Sequence, residues 1–299
     1  MKRTDSWISF VIVHVGFMGT WGALIEIPEK NGFPASLGFI AWALSMIPAA
    51  LLALYLRGWK LDSDKASIIW GSLVGFLGAI GQLELFIVLK TAPAYLVFPL
   101  LSLTPVVTIV LAVVFLKEKT GAMGWMGIGV AIVAIVLLSF SPPKDGASVV
   151  GKRWILLAAI PLLAWGCQGF VMRFANKTMK AESIFFYMMA SSVVLAPVAA
   201  SMTDFSQQIE WGFKGPYLAT IVQSLNAFGA LFLVYAFRYG KAIIVAPMTT
   251  ALSPIVTVVL SLAIYRVLPH PVLIVGILLA ILAAYLMAIS ELKKEKKAL

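Results

Sequence analysis

The chain has 299 residues, of which 61% are hydrophobic and only 12% charged, and its mean hydropathy is +0.98. Soluble globular domains are about 45–50% apolar and about 25% charged, so the composition excludes a soluble fold and requires an integral membrane protein. The formal net charge of +10 would by itself suit an acidic partner, but the basic residues follow the short loops and the tail, as membrane topology demands, and no nucleic-acid binding is expected.

A membrane-crossing helix needs roughly 20 mainly apolar residues. Ten runs meet that need, at 7–27, 34–56, 67–89, 92–116, 120–140, 153–175, 183–202, 215–237, 242–265 and 271–290. The first follows Met1-Lys2-Arg3, is too long for a signal-peptide core and shows no cleavage site, so it reads as a retained helix. His14 lies well inside it, where an imidazole is suited either to proton coupling or to plain packing. Glu26, Pro28 and Glu29 end this run at a solvated outer mouth. Gly16, Gly19 and Gly22, with Gly71, Gly75 and Gly78 in the third run, form small-residue stripes for close helix approach.

Polar groups inside hydrocarbon are costly, so each is a functional candidate. In the third run these are Gln82 and Glu84, two positions apart and therefore on different faces. Either register of the helix presents one of them to a central cavity, and Glu84 is the second proton-coupling candidate or a partner for Lys90. In the fourth run Pro99 and Pro105 interrupt the helix beside Ser102 and Thr104. The linker Ser141-Pro142-Pro143-Lys144-Asp145-Gly146-Ala147-Ser148 then separates five runs from five. The sixth run carries Trp165, the single cysteine Cys167, and Gln168. Tyr187 lies in the seventh. Gln223 and Asn226 are one turn apart on the same face of the eighth, an amide pair able to donate and accept, with Tyr235 further along. The ninth has Pro247 and Pro254 among Thr249, Thr250 and Ser253. The tail Glu291-Leu-Lys-Lys-Glu-Lys-Lys reads as a basic anchor beside anionic lipid. No metal-ligand, nucleophile or nucleotide motif is present, so neither a cofactor nor an enzyme is expected.

The two halves repeat. Pro105-Val106-Val107-Thr108-Ile109-Val110-Leu111 returns as Pro254-Ile255-Val256-Thr257-Val258-Val259-Leu260, 149 residues later, and the same offset carries Gly127 onto Gly276. Trp21-Gly22 matches Trp165-Gly166 at 144 residues. Five spans per repeat force the second copy to start from the opposite side of the membrane. The expected fold is therefore all-α and membrane-embedded, with ten transmembrane helices as two inverted-topology repeats: 1–143, an inter-repeat loop 144–152, and 153–299. A cytoplasmic N-terminus puts 16 basic residues inside and 7 outside, which fits the positive-inside rule.

The stretches Val88 to Pro99 with Pro105, and Ala236 to Pro247 with Pro254, each followed by a glycine-bearing helix, resemble the ten-helix, two-repeat (EamA-like) branch of the drug/metabolite transporter superfamily. Glu118, in Leu116-Lys117-Glu118-Lys119, also fits the resemblance, but Val267 stands where the second repeat would carry its counterpart. The resemblance implies cytoplasmic termini and a central cavity lined by helices 1, 3, 4, 6, 8 and 9. On that footing the substrate-cavity candidates are Asn226, Gln223, Gln82, Glu84, Trp165, Gln168, Trp21, Ser102, Thr250 and Ser253. Pro99, Pro105, Pro247 and Pro254 are the hinge candidates. The expected activity is alternating-access secondary transport of a small polar or amphiphilic metabolite, with amino-acid export favoured and sugar or polyol transport as the alternative. A channel or an intramembrane enzyme fits less well. The expected partners are the solute and the bilayer, in a bacterial inner membrane, and duplicated halves in one chain let a monomer suffice.

Overall fold

In the computed structural model, residues 6–91, 97, 100, 101, 103–138, 153–265 and 270–298 are described. Pro99, Ser102, Val267 and the 144–152 loop lie outside them. The described residues form α1 (Ser6–Leu24), α2 (Ala35–Leu56), α3 (Lys65–Thr91), α4 (Thr104–Phe115) and α5 (Ala122–Leu138), then α6 (Arg153–Thr178), α7 (Ala181–Ser201), α8 (Leu218–Tyr239), α9 (Ala242–Tyr265) and α10 (Pro271–Ala298). A helical turn, Glu26–Lys30, follows α1, and a π-helical turn, Phe213–Tyr217, leads into α8. Among the described residues eight helices are long and apolar enough to cross a membrane, and α4 and α5 are shorter apolar helices. Their apolar residues lie all round rather than along one stripe, which suits helices that face lipid on one side and protein on the other.

The fourth run departs from expectation. Its described helix begins at Thr104 with Pro105 in the first turn, where the missing N–H has no intrahelical partner to lose. Pro105 therefore starts a helix rather than bending one, unlike its repeat mate Pro254, which lies inside continuous α9 together with Pro247. Helix α10 continues past the apolar run through the basic tail to Ala298.

The repeats interleave. Helix α3 packs on α6 and α7 of the second half, α8 packs on α1 and α2 of the first, and α5 packs along α10. Glycines set these approaches. A methyl at Gly71 or Gly75 of α3 would collide with Tyr187 or Ser191 of α7, and one at Gly78 or Gly81 would collide with Gln168 or Trp165 of α6. The same construction joins α1 to α9 and α6 to α4. Gly19 and Gly22 take Val256 and Thr257, just as Gly166 and Gly169 take Val107 and Thr108. Thr257 donates to the Gly19 carbonyl at 2.9 Å, and Thr108 to the Gly166 carbonyl at 2.8 Å. On α1 and α6 the repeat thus runs from Gly19 to Gly166, which makes Gln168, not Trp165, the counterpart of Trp21. Trp21 and Trp165 also sit in different interfaces, since α1 packs on α8 and α9 while α6 packs on α3 and α4.

One end of the bundle gathers Arg57, Glu118, Arg173, Arg238 and the start of α1. We call this the basic end.

Candidate functional site

A cavity of about 150 Å³ lies among α4, α6, α8 and α9. Its wall combines the Trp165 ring and the Gln168 amide with Thr104, Thr108, Thr249 and Thr250, and Met172 and Phe237 close it toward the basic end. The hydroxyls are largely turned to the backbone. Thr104 donates to the Leu101 carbonyl, Thr108 to Gly166, and Thr249 to Val245 and Ala246. Such bonds satisfy main-chain groups near proline breaks in helices that lack water. The polar groups of α6 are also anchored, with Trp165 Nε1 donating to the Gly78 carbonyl at 3.2 Å and Gln168 Nε2 to Val74 at 3.1 Å. The Gln168 side-chain oxygen accepts no bond from another described residue.

Gln223 and Asn226 lie elsewhere on α8. Trp21 Nε1 donates to Gln223 Oε1 at 3.0 Å, and Trp42 Nε1 donates to Asn226 Oδ1 at 2.9 Å. Indole N–H groups only donate, so both amide carbonyls are committed and each side chain keeps its NH₂ group as the donor. The Trp21 bond reinforces the register found in the glycines: Trp21 reaches position 223 and its counterpart Gln168 reaches position 74, a spacing of 149 residues. Asn226 shares a face with the cavity residue Leu233, about 10 Å further from the basic end. The structure therefore brings Trp165, Gln168, Thr104 and Thr250 together, and sets Trp21, Gln223 and Asn226 as a second cluster toward the far end. Trp42 is the member of that cluster that sequence reasoning missed.

The remaining candidates are placed as follows. Gln82 continues the stripe Gly71-Gly75-Gly78 that faces α6 and α7, and Glu84 shares a stripe with the exposed Leu73 and Ile80. His14 is buried, and its Nδ1 lies 2.8 Å from the Gly229 carbonyl of α8. Ser253 donates to Thr249 and leaves its carbonyl against Gly19. Tyr187 donates to the Asp62 carbonyl, and Tyr235 to Glu182.

Below the cavity sits a buried ion pair. Arg173 Nε donates to Glu118 Oε1 at 2.9 Å, with side chains 17% and 6% exposed. The other Glu118 oxygen accepts the Ile243 N–H at the start of α9, and Arg173 Nη1 donates to the Phe237 and Arg238 carbonyls at the end of α8. One acid and one base thus tie together the ends of α4, α6, α8 and α9, the four helices that line the cavity. Buried pairs hold when every remaining donor and acceptor is also met.

Comparisons with known proteins agree with this architecture. A solved crystal structure of another protein matches with TM-score 0.73 at 16% identity, over 94% of this chain and 98% of its own. That likeness shows the fold. An uncharacterised protein of Methanocaldococcus jannaschii is 34% identical over 127 residues, 42% of this chain and 88% of its own length. A probable 4-amino-4-deoxy-L-arabinose-phosphoundecaprenol flippase subunit ArnE of Hamiltonella defensa is 31% identical over 82 residues, 27% of this chain and 74% of its own. A probable magnesium transporter of Candida albicans is 37% identical over 84 residues, 28% of this chain, and the match spans only 22% of that transporter. Residues 5–140 and 152–289 each match the EamA-like transporter family, and the chain, a multi-pass membrane protein built from two copies of one repeat, belongs to that family.

Proposed function

We propose that the chain is a secondary transporter that moves a small metabolite, an amino acid first, by alternating access between two inverted five-helix repeats. The observation that carries this reading is the cavity closed at one end by the Glu118–Arg173 tie. At about 150 Å³ it is smaller than the roughly 300–1,000 Å³ typical of drug-sized ligands, so it suits a solute of a few heavy atoms. The committed carbonyls of Gln223 and Asn226 leave N–H donors on the path toward the far end, and donors suit a carboxylate. The cavity then offers the Gln168 carbonyl to an amine and the Trp165 face to an aliphatic or cationic group. The Thr hydroxyls, turned to the backbone, serve a polyol less well.

The cycle follows from the geometry. With the tie intact the basic end is shut, and parting of α4 and α9 from α6 and α8 opens it. Pro247 and Pro254 within α9, and the break before Thr104, give these helices places to bend. The positive-inside distribution makes the basic end cytoplasmic, and loading there with release at the far end is export. Glu84 and His14 stay the titratable candidates for proton coupling, although the His14 bond to Gly229 favours a packing role.

Proteoliposomes loaded with mixed amino acids, sugars and polyols test this. Selective efflux of amino acids, reduced about tenfold or more in Gln168→Ala, is the expected result. Selective efflux of sugars would move the substrate to the polyol class, and efflux without saturation or counterflow would make the protein a channel.

A further inference from the structure

A second, larger cavity of about 530 Å³ opens at the basic end. It begins one turn past the central one, with Asn176 and Arg238 on its wall where Met172 and Phe237 line the other. Arg173, bonded to the Phe237 and Arg238 carbonyls, forms the partition. The wall carries charges of both signs, and they differ in how far they are spent. Arg57 is spent, because its guanidinium makes a two-point pair with Asp62 at 2.7 and 2.9 Å. Arg238 is positioned by the Met179 carbonyl at 2.8 Å and pairs with no carboxylate among the described residues. Lys180 brings an exposed ammonium. Glu182 gives one oxygen to the Tyr235 hydroxyl at 2.7 Å and keeps the other. Asn176 is 7% exposed, and its amide NH₂ bonds the Met172 and Val234 carbonyls while its Oδ1 meets no donor.

We propose that this cavity binds a small ligand carrying an anionic group and a protonated amine together. Lys180 and Arg238 take the anion, and the free Glu182 oxygen takes the amine, with the Asn176 carbonyl as the nearby unmet acceptor. Charge-assisted bonds of this kind are the strong ones. With two cations against one carboxylate, the wall favours a ligand that is neutral or negative overall. The volume lies within the range of small-molecule sites. Two sources supply the chemistry: a free aminoalkyl phosphate or amino acid from the aqueous phase, or an aminophospholipid headgroup reaching in past the exposed Leu56 and Tyr239 at the lip. The site stands on its own geometry. Its place one turn from the central cavity makes it a loading site only if the transporter reading above holds.

The test uses the full chain in phosphatidylcholine nanodiscs, titrated calorimetrically with phosphoethanolamine, inorganic phosphate and ethanolamine. Phosphoethanolamine is expected to bind about tenfold or more tighter than either half alone. Lys180→Ala should remove most of the phosphate contribution, and Glu182→Gln, which keeps an oxygen for Tyr235, should remove that of the amine. Equal affinity for phosphate with and without the amine, or unchanged binding in both variants, overturns the proposal. A second arm replaces part of the lipid with phosphatidylethanolamine. Loss of phosphoethanolamine binding then assigns the site to the lipid headgroup, and retention assigns it to the soluble ligand. Because binding is read without flux, absent transport with intact binding would sink the transporter reading and leave this site standing.

Discussion

Trp42 holds Asn226 and Trp21 holds Gln223, so each amide enters the membrane interior with its acceptor already used. Hydrogen bonds between membrane helices average about 0.6 kcal/mol. Trp42→Phe should therefore lower the melting temperature of the detergent-solubilised protein only slightly. It also lets Asn226 turn, and transport KM is expected to rise while the fold survives; an unchanged KM would make the pair mere glue. Outside the membrane, Arg57 beside Asp62 holds that carboxyl down to about 2, with the Lys180 N–H and Ser183 hydroxyl assisting. The folded pKa lies below the ordinary aspartate value of 3.8, so the stabilisation is full above about pH 4 and is lost as pH falls through about 2. Asp62→Asn should be less stable at pH 6 and show a flatter stability profile between pH 4 and 2, read by thermal unfolding. Neither arrangement was legible in the sequence. Trp42 resembles any other lipid-facing or interfacial aromatic, and nothing in the order of residues says which indole meets which amide 184 positions away.

At the level of helices, the glycine stripes were legible and their partners were not. Spacing alone marks Gly71, Gly75 and Gly78 as one face, but only the structure shows Tyr187, Ser191 and Gln168 seated on it. Gly78→Ala should cost about 1–3 kcal/mol through overpacking. Gly16→Ala, which would place its methyl in open space, should be neutral or slightly stabilising, and unfolding in mixed micelles compares the two. Glu118 was visible as an acid at a helix end. Its partner Arg173, 55 residues on, and the N–H of Ile243 were not, because a tie between helix ends depends on packing. Glu118→Gln leaves Arg173 buried without its counter-charge, a change that costs about 3–5 kcal/mol in comparable sites. In a Cys167→Ser background, Thr250→Cys should then react faster with a thiol reagent applied from the basic end. An unchanged labelling rate would remove the tie from the gate.

Across the whole molecule, the duplication was the most legible feature, since the copies around Thr108 and Thr257 sit at one offset and pack alike. The misjudged part was α1 against α6, where the repeated Trp-Gly pair lies three residues off the structural register. An identical dipeptide is weak evidence when aromatics and glycines are common, whereas a glycine receiving a specific valine and threonine is geometric. Interleaving adds a prediction. Since α3 and α8 each pack into the opposite half, residues 1–143 and 153–299 expressed together from separate genes should assemble and copurify. Either piece expressed alone should be degraded or aggregate, because its third helix has lost the faces it packs on.

On the alternating-access proposal, the tie at the basic end has a kinetic consequence. Two halves of equal strength would leave the empty carrier divided evenly between its two openings. Glu118 answers to Val267 in the other repeat, so a charged latch of this kind belongs to one side of the cycle. Every 1.4 kcal/mol of that difference is tenfold in population at rest, and the unloaded protein is expected to wait with its basic end shut. Turnover is then paced by the step that breaks the latch with nothing bound. External solute, by keeping the carrier loaded through that step, is expected to accelerate efflux rather than oppose it.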